Sequence, residues 1–136
     1  MPYYPITAID GINADVAKSL KALGIRTSKR LLEAAKDSKG RKTLSEQTGI
    51  DPKKLLSFAN CADRMRIKGM GKEYSVLLRA VGVDTVRELK YRNPARLAEA
   101  MAETNRKRKL VRVLPSENAI GRWIDAAKKL EPKITY

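Results

Sequence analysis

The chain has 136 residues, 43% hydrophobic and 32% charged, and a formal charge of +14 from 29 basic and 15 acidic side chains. It has no His and a single cysteine, Cys61, which excludes imidazole acid–base chemistry, the serine-protease triad, nearly all zinc enzymes, an internal disulfide and a thiolate cluster. A positive excess of this size on a small protein points to a polyanionic partner, nucleic acid first.

In chain order, Met1 to Pro5 reads as extended, because its two prolines disfavour helix. Thr7 is placed to cap a short turn, with Asp10 at capping-box spacing. The start of the chain lacks the charged and apolar regions of a secretory signal, and no apolar run approaches a membrane span. Gly11-Ile12-Asn13 is a turn. Val16, Ala17, Leu20 and Leu23 then recur at helical spacing until Gly24. Thr27 or Ser28 starts the next helix, through Leu31, Leu32 and Ala35. Residues 36–40 read as a polar turn, and Thr43 to Thr48 as a short helix ended by Gly49.

Asp51-Pro52 is a strong helix start, and the apolar stripe runs through Leu55, Phe58, Ala59, Ala62 and Met65. Gly69-Met70-Gly71 is a second glycine turn, followed by a helix from Lys72 that Gly82 closes. Asp84 or Thr85 caps a helix through Val86 and Leu89, and Asn93-Pro94 starts another. Leu110 to Leu114 is the one stretch with the alternation of a strand. Pro115-Ser116 opens the last helix, with Ile120, Trp123, Ile124, Ala127 and Leu130 on one stripe. Trp123 and Phe58 are expected in the core, and Cys61 as an inert buried thiol. The fold class expected is all-α, with about nine short helices in one compact unit.

The chain also repeats itself. Residues 9–27 align with 67–85 at a constant offset of 58, pairing Gly11 with Gly69, Leu20 with Leu78, Gly24 with Gly82 and Thr27 with Thr85. Leu44 meets Leu97 at offset 53, and Phe58 meets Trp123 at offset 65. We therefore expect a duplication, with copies at 1–66 and 67–136 that share a core. Their charges are +6 (13 basic, 7 acidic) and +8 (16 basic, 8 acidic), so both carry the excess.

Each copy reads hydrophobic-x-Gly-hydrophobic-small, a helix, then Gly-hydrophobic-x-Thr. This resembles the helix-hairpin-helix motif of DNA repair and replication proteins. With Tyr-Pro at the start, Gly-Ile-Arg-Thr at 24–27, Gly-Arg-Lys at 40–42, Ala-Asp-Arg-Met-Arg-Ile-Lys-Gly at 62–69 and Trp-Ile-Asp-Ala-Ala-Lys-Lys-Leu at 123–130, nearly the whole chain resembles one bacterial family. Its members are small, stand-alone tandem helix-hairpin-helix proteins, catalogued as a domain of unknown function.

The resemblance implies that backbone N–H groups of the glycine turns hold DNA phosphate, as free donors at a helix start do generally. The candidate residues are Gly69, Met70 and Gly71 with Lys68 and Lys72 beside them. In the first copy they are Gly11, Ile12 and Asn13, where Asn13 stands in place of the second glycine. Arg106, Lys107, Arg108 and Lys109, with Arg112, form the densest basic run and a second candidate strip. Residues 40–42, Lys53-Lys54, Arg64 and Arg66 are weaker candidates. Tyr3, Tyr4 and Tyr74 are candidate stackers, with packing the stronger reading.

No carboxylate pair has the spacing of a nuclease metal site, so no catalysis, metal or cofactor is expected. The expected function is sequence-independent binding of nucleic acid, double-stranded DNA foremost, in the cytoplasm at the nucleoid, without membrane contact. The alternative is an adaptor for an acidic protein partner. An exposed Leu110–Leu114 strip would favour the adaptor, whereas burial of that strip between the copies would not.

Overall fold

A computed structural model describes residues 3–136; Met1 and Pro2, the start of the expected extended segment, lie outside the described residues. Eight α-helices follow a 3-10 turn at Ile6–Ala8. They are α1 (Ala14–Ala22), α2 (Ser28–Ala34), α3 (Ser38–Thr48), α4 (Pro52–Arg64), α5 (Lys72–Ala80), α6 (Val86–Leu89), α7 (Pro94–Arg108) and α8 (Glu117–Lys129). The fold is all-α, and no strand occurs among the described residues. The chain divides into two units. The first runs to Asp63 and takes back residues 132–136, and the second covers Arg64 to Glu131.

Side-chain caps set most helix starts in the first unit. Asn13 accepts from the Val16 N–H at 2.9 Å, Thr27 from Arg30 at 3.2 Å, and Asp37 from Gly40 at 2.7 Å. Asp51 accepts from Lys53 at 2.8 Å, and Pro52 follows it at the first helical position, where a missing N–H leaves nothing unsatisfied. The segment before α1 is tied to the α1–α2 connection. Pro5 bridges Thr27, Ile6 N–H donates to the Arg26 carbonyl at 2.9 Å, and Ser28 N–H donates to the Tyr4 carbonyl at 2.8 Å.

Three local expectations change in this unit and the next. Thr7 lies inside the 3-10 turn rather than capping it, because the Pro5 carbonyl accepts from the Ala8 N–H at 2.9 Å and closes the turn. Residues 38–40 are helical rather than a polar turn, because Asp37 caps α3 early. A side chain at Gly40 would run into the Ala34 carbonyl oxygen, so only glycine fits this first turn.

Arg41 of α3 is 5% exposed, and its guanidinium donates to the Ala35 and Thr135 carbonyls, each at 2.8 Å. Thr135 N–H donates to the Lys36 carbonyl at 2.7 Å, Tyr136 Oη to Asn60 Oδ1 at 3.2 Å, and Ile134 is buried. These ties hold residues 132–136 in the first unit. Phe58 and Cys61 are buried as expected.

In the second unit α7 packs on α8 and α5, and α6 packs on α8. The core joins Ile67, Met70, Leu77, Leu78, Met101, Ile120, Trp123 and Ile124. Thr85 and Glu88 form a reciprocal capping box on α6. Arg64 is 1% exposed. Its Nε donates to Ser75 Oγ at 3.0 Å, and its Nη1 donates to the Asp84 carbonyl at 2.8 Å and to Asp84 Oδ1 at 3.2 Å. Arg66, also buried, donates to the Glu131 carbonyl at 3.2 Å.

The third change is that residues 110–114 do not form a strand. The Asn105 amide holds Val111 instead, accepting from its N–H at 2.9 Å and donating to its carbonyl at 3.1 Å. Val111 is buried, while Val113 is 71% and Leu114 42% exposed, so the strip is enclosed at Val111 and open at its end.

Candidate nucleic-acid interface

The two glycine turns have the same backbone design. Gly11 and Gly69 sit at φ of +89° and +83°, a left-handed conformation that glycine adopts without strain. Each turn is closed by one hydrogen bond, Ile12 N–H to the Ile9 carbonyl at 3.2 Å and Met70 N–H to the Ile67 carbonyl at 3.0 Å. The helices that follow, α1 and α5, are both nine residues long. Both end alike: Ile25 N–H donates to the Leu20 carbonyl at 3.0 Å, and Val83 N–H donates to the Leu78 carbonyl at 2.9 Å. An aromatic ring faces each turn. A Cβ at Gly11 would lie 3.1 Å from Phe58 Cε1, and one at Gly69 would lie 3.5 Å from Trp123 Nε1.

These bonds redistribute the donors expected from the sequence. The N–H groups of Ile12 and Met70 are spent inside their turns, and both side chains are buried. The closing bond thus takes only the middle candidate of each turn, while no backbone acceptor among the described residues takes the N–H groups of Gly69 and Gly71 or of Gly11 and Asn13, and further donors lie in the first turn of each helix. At α1 the Asn13 side chain occupies the Val16 N–H. At α5 the equivalent position is Gly71, with φ −90° and ψ −173° against −84° and −178° at Asn13, and it supplies no side-chain cap. Intrahelical bonding begins only with Ser75 N–H on the Gly71 carbonyl, which leaves Lys72, Glu73 and Tyr74 N–H uncapped. The second turn is thus richer in open donors. Lys68 and Glu73 are exposed beside it and Lys72 is nearby on the first turn of α5, so one carboxylate opposes two ammonium groups. Asp15 plays that opposing part at α1.

The expected basic strip is helical: Arg106, Lys107 and Arg108 form the last turn of α7, and Lys109 is its left-handed C-cap at φ +50°. Cations in this position complement the helix dipole. Glu103 pairs with Arg106 at 2.8 Å and with Lys107 at 3.3 Å. The Arg106 guanidinium, and then Lys107, hold the Glu103 carboxyl below its usual range. Two of the four cations therefore share a single carboxylate charge, while Arg108, Lys109 and Arg112 have no such partner among the described residues.

Arg41, Arg64 and Arg66, expected as weaker surface candidates, are buried on carbonyl and side-chain acceptors and present no open guanidinium face. Lys42, Lys53 and Lys54 remain exposed. Tyr74 packs against Trp123 with ring centroids 5.3 Å apart, and its hydroxyl donates to the Val113 carbonyl at 3.0 Å.

A cleft of about 600 Å³ opens beside the second turn, between Lys68-Gly69, Tyr74, the Leu114–Ser116 connection and one face of α8. It brings together Lys68 and Gly69, which the sequence singled out, with Arg122, which it did not. Arg122 is set off the apolar stripe of α8, so helical periodicity carries no signal for it. The run at 106–109 does not line this cleft.

No described helix is long and apolar enough to cross a membrane, and no group of three or more carboxylates or cysteines among the described residues is placed to hold a metal ion. No curated protein and no solved structure matches the chain. One family does, over residues 10–130, which span the whole of α1 to α8. The chain belongs to the family described as Domain of unknown function (DUF4332).

Proposed function

We propose that this protein is a non-enzymatic, sequence-independent nucleic-acid-binding protein, built from two tandem helix-hairpin-helix copies and directed at the backbone of double-stranded DNA. The observation that carries the reading is the second glycine turn. There a left-handed Gly69 leads into a helix whose first N–H groups have no side-chain cap, with Lys68 and Lys72 alongside, in a chain of charge +14. Such a turn offers a phosphate oxygen several convergent donors and a positive dipole end. It reads no base edge, so affinity should not depend on sequence. The repeated geometry at offset 58 supports a duplication, with the first copy the weaker binder because Asn13 occupies one of its donors. Arg108, Lys109 and Arg112 add long-range attraction. On this reading the protein works at the nucleoid, with no cofactor.

The test is fluorescence anisotropy of a labelled duplex of about 20 base pairs over roughly 50–200 mM salt, with single-stranded and RNA competitors. Log affinity should fall linearly with log salt. Reversing Lys72 and Arg108 to Glu should weaken binding equally on unrelated sequences and flatten the slope by about two. Unchanged binding by that variant at low salt would defeat the site. The exposed Val113 and Leu114 favour a second reading, an adaptor for an acidic protein. Nuclease-insensitive partners together with absent duplex binding would select it.

A further inference from the structure

The cleft beside the second turn has features that backbone binding does not use. Trp123 is only 4% exposed, yet no described residue accepts a hydrogen bond from its indole Nε1–H, and that nitrogen is not sealed from solvent. It lies 3.5 Å from where a Cβ on Gly69 would sit, so the missing side chain of Gly69 keeps the donor open to the cleft. Tyr74 stacks obliquely on the same indole and forms a second aromatic wall. Leu114 and Ala119 supply apolar wall, and Lys68 and Arg122 stand at the rim. A volume of about 600 Å³ is in the range of ligand-sized clefts.

The geometry points to a site for one unstacked nucleotide: the base lies against Tyr74 and Leu114, an acceptor on its edge takes the Trp123 Nε1–H, and its phosphate meets Lys68 and Arg122. A base supplies the flat face and edge acceptors that this wall and donor need, and aromatic stacking of bases is tolerant of sequence. The inference rests on the nucleic-acid reading and narrows it. The preferred target is a duplex with an unpaired nucleotide, such as a bulge, where the base is already out of the stack.

Trp123 is the only tryptophan, so its emission reports on the cleft alone. The 136-residue protein is titrated with a fully paired duplex and with the same duplex carrying one unpaired nucleotide. The bulged duplex should bind about fivefold or more tighter, as one stacked base implies, and only it should quench Trp123. Ala119→Phe, which fills the cleft, should abolish both the discrimination and the quenching. Arg122→Glu, at an exposed position that does not endanger folding, should reduce the discrimination.

Equal affinity for the two duplexes with unchanged emission would overturn the site while leaving duplex binding in place. If neither duplex binds, deoxyadenosine monophosphate is the probe. Quenching of Trp123 that Ala119→Phe removes would uphold the cleft and reject the duplex reading. Absence of quenching would reject both.

Discussion

The two glycine turns differ at one position that can be exchanged. Gly71 and Asn13 have nearly the same backbone angles, and a Cβ added at Gly71 meets nothing within 4 Å. Gly71→Asn should therefore install on α5 the cap that α1 already has, on the Tyr74 N–H. An Asn cap gains a few tenths of a kcal/mol over Gly, and losing glycine's unfolded-state freedom adds about 0.4–1 kcal/mol, for roughly 1 kcal/mol of added stability. That raises Tm by about 3–6 °C. Binding should move the other way. The new side chain takes a donor that would otherwise face phosphate, and a hydrogen bond to a charged group is worth about 1.5–3 kcal/mol, a loss of roughly tenfold or more. The converse change, Asn13→Gly, should lower Tm and leave duplex affinity equal or higher. Thermal melts by circular dichroism and duplex anisotropy on the same preparations check both. A Gly71→Asn protein that melts higher but binds duplex with unchanged affinity and salt slope would refute phosphate binding at the start of α5.

Arg64→Met should destabilise the protein by about 2–3 kcal/mol in urea unfolding, because Ser75 Oγ and the Asp84 carbonyl lose a buried donor that a thioether cannot replace. Its duplex affinity should be unaffected, since the guanidinium is enclosed. Glu103→Gln should leave Tm nearly unchanged and strengthen duplex binding at low salt several-fold, because it releases Arg106 and Lys107 from an exposed pair. A pH titration of the parent protein gives the sign of that pair. The Glu103 carboxyl is held low in the folded state, so any stabilisation from it is present above the ordinary Glu range. It is lost as pH falls through the depressed value, and the variant should lack this component.

The helix starts were legible because their caps act over three residues: Thr27, Asp51-Pro52, Thr85, Asn93-Pro94 and Ser116 all do locally what their residue types favour. Asp37 was not, since a polar run hides a cap whose partner is a glycine inside the helix. The three enclosed arginines misled for a different reason. Each has at least one acceptor that is a main-chain carbonyl distant in sequence, Thr135 for Arg41, Asp84 for Arg64 and Glu131 for Arg66, and composition cannot place a carbonyl. At the candidate site the glycines and lysines stood out, but not which N–H groups remain open. That depends on the turn-closing bonds of Ile12 and Met70, which follow from a left-handed φ rather than from residue identity. The cleft was invisible because its walls come from segments that periodicity treats separately, and Arg122 because it lies off the apolar stripe of α8.

The return of residues 132–136 to the first unit has a consequence for synthesis on the ribosome. Arg41 waits for a carbonyl 94 residues downstream, and Lys36 waits for the Thr135 N–H. The second unit is contiguous from Arg64 to Glu131. A nascent chain therefore has every residue of the later unit before it has the last residues of the earlier one, reversing the usual order in which the segment made first is finished first. Until Thr135 emerges, Arg41 has only one of its two carbonyl partners, and closing so long a loop is slow compared with local helix formation.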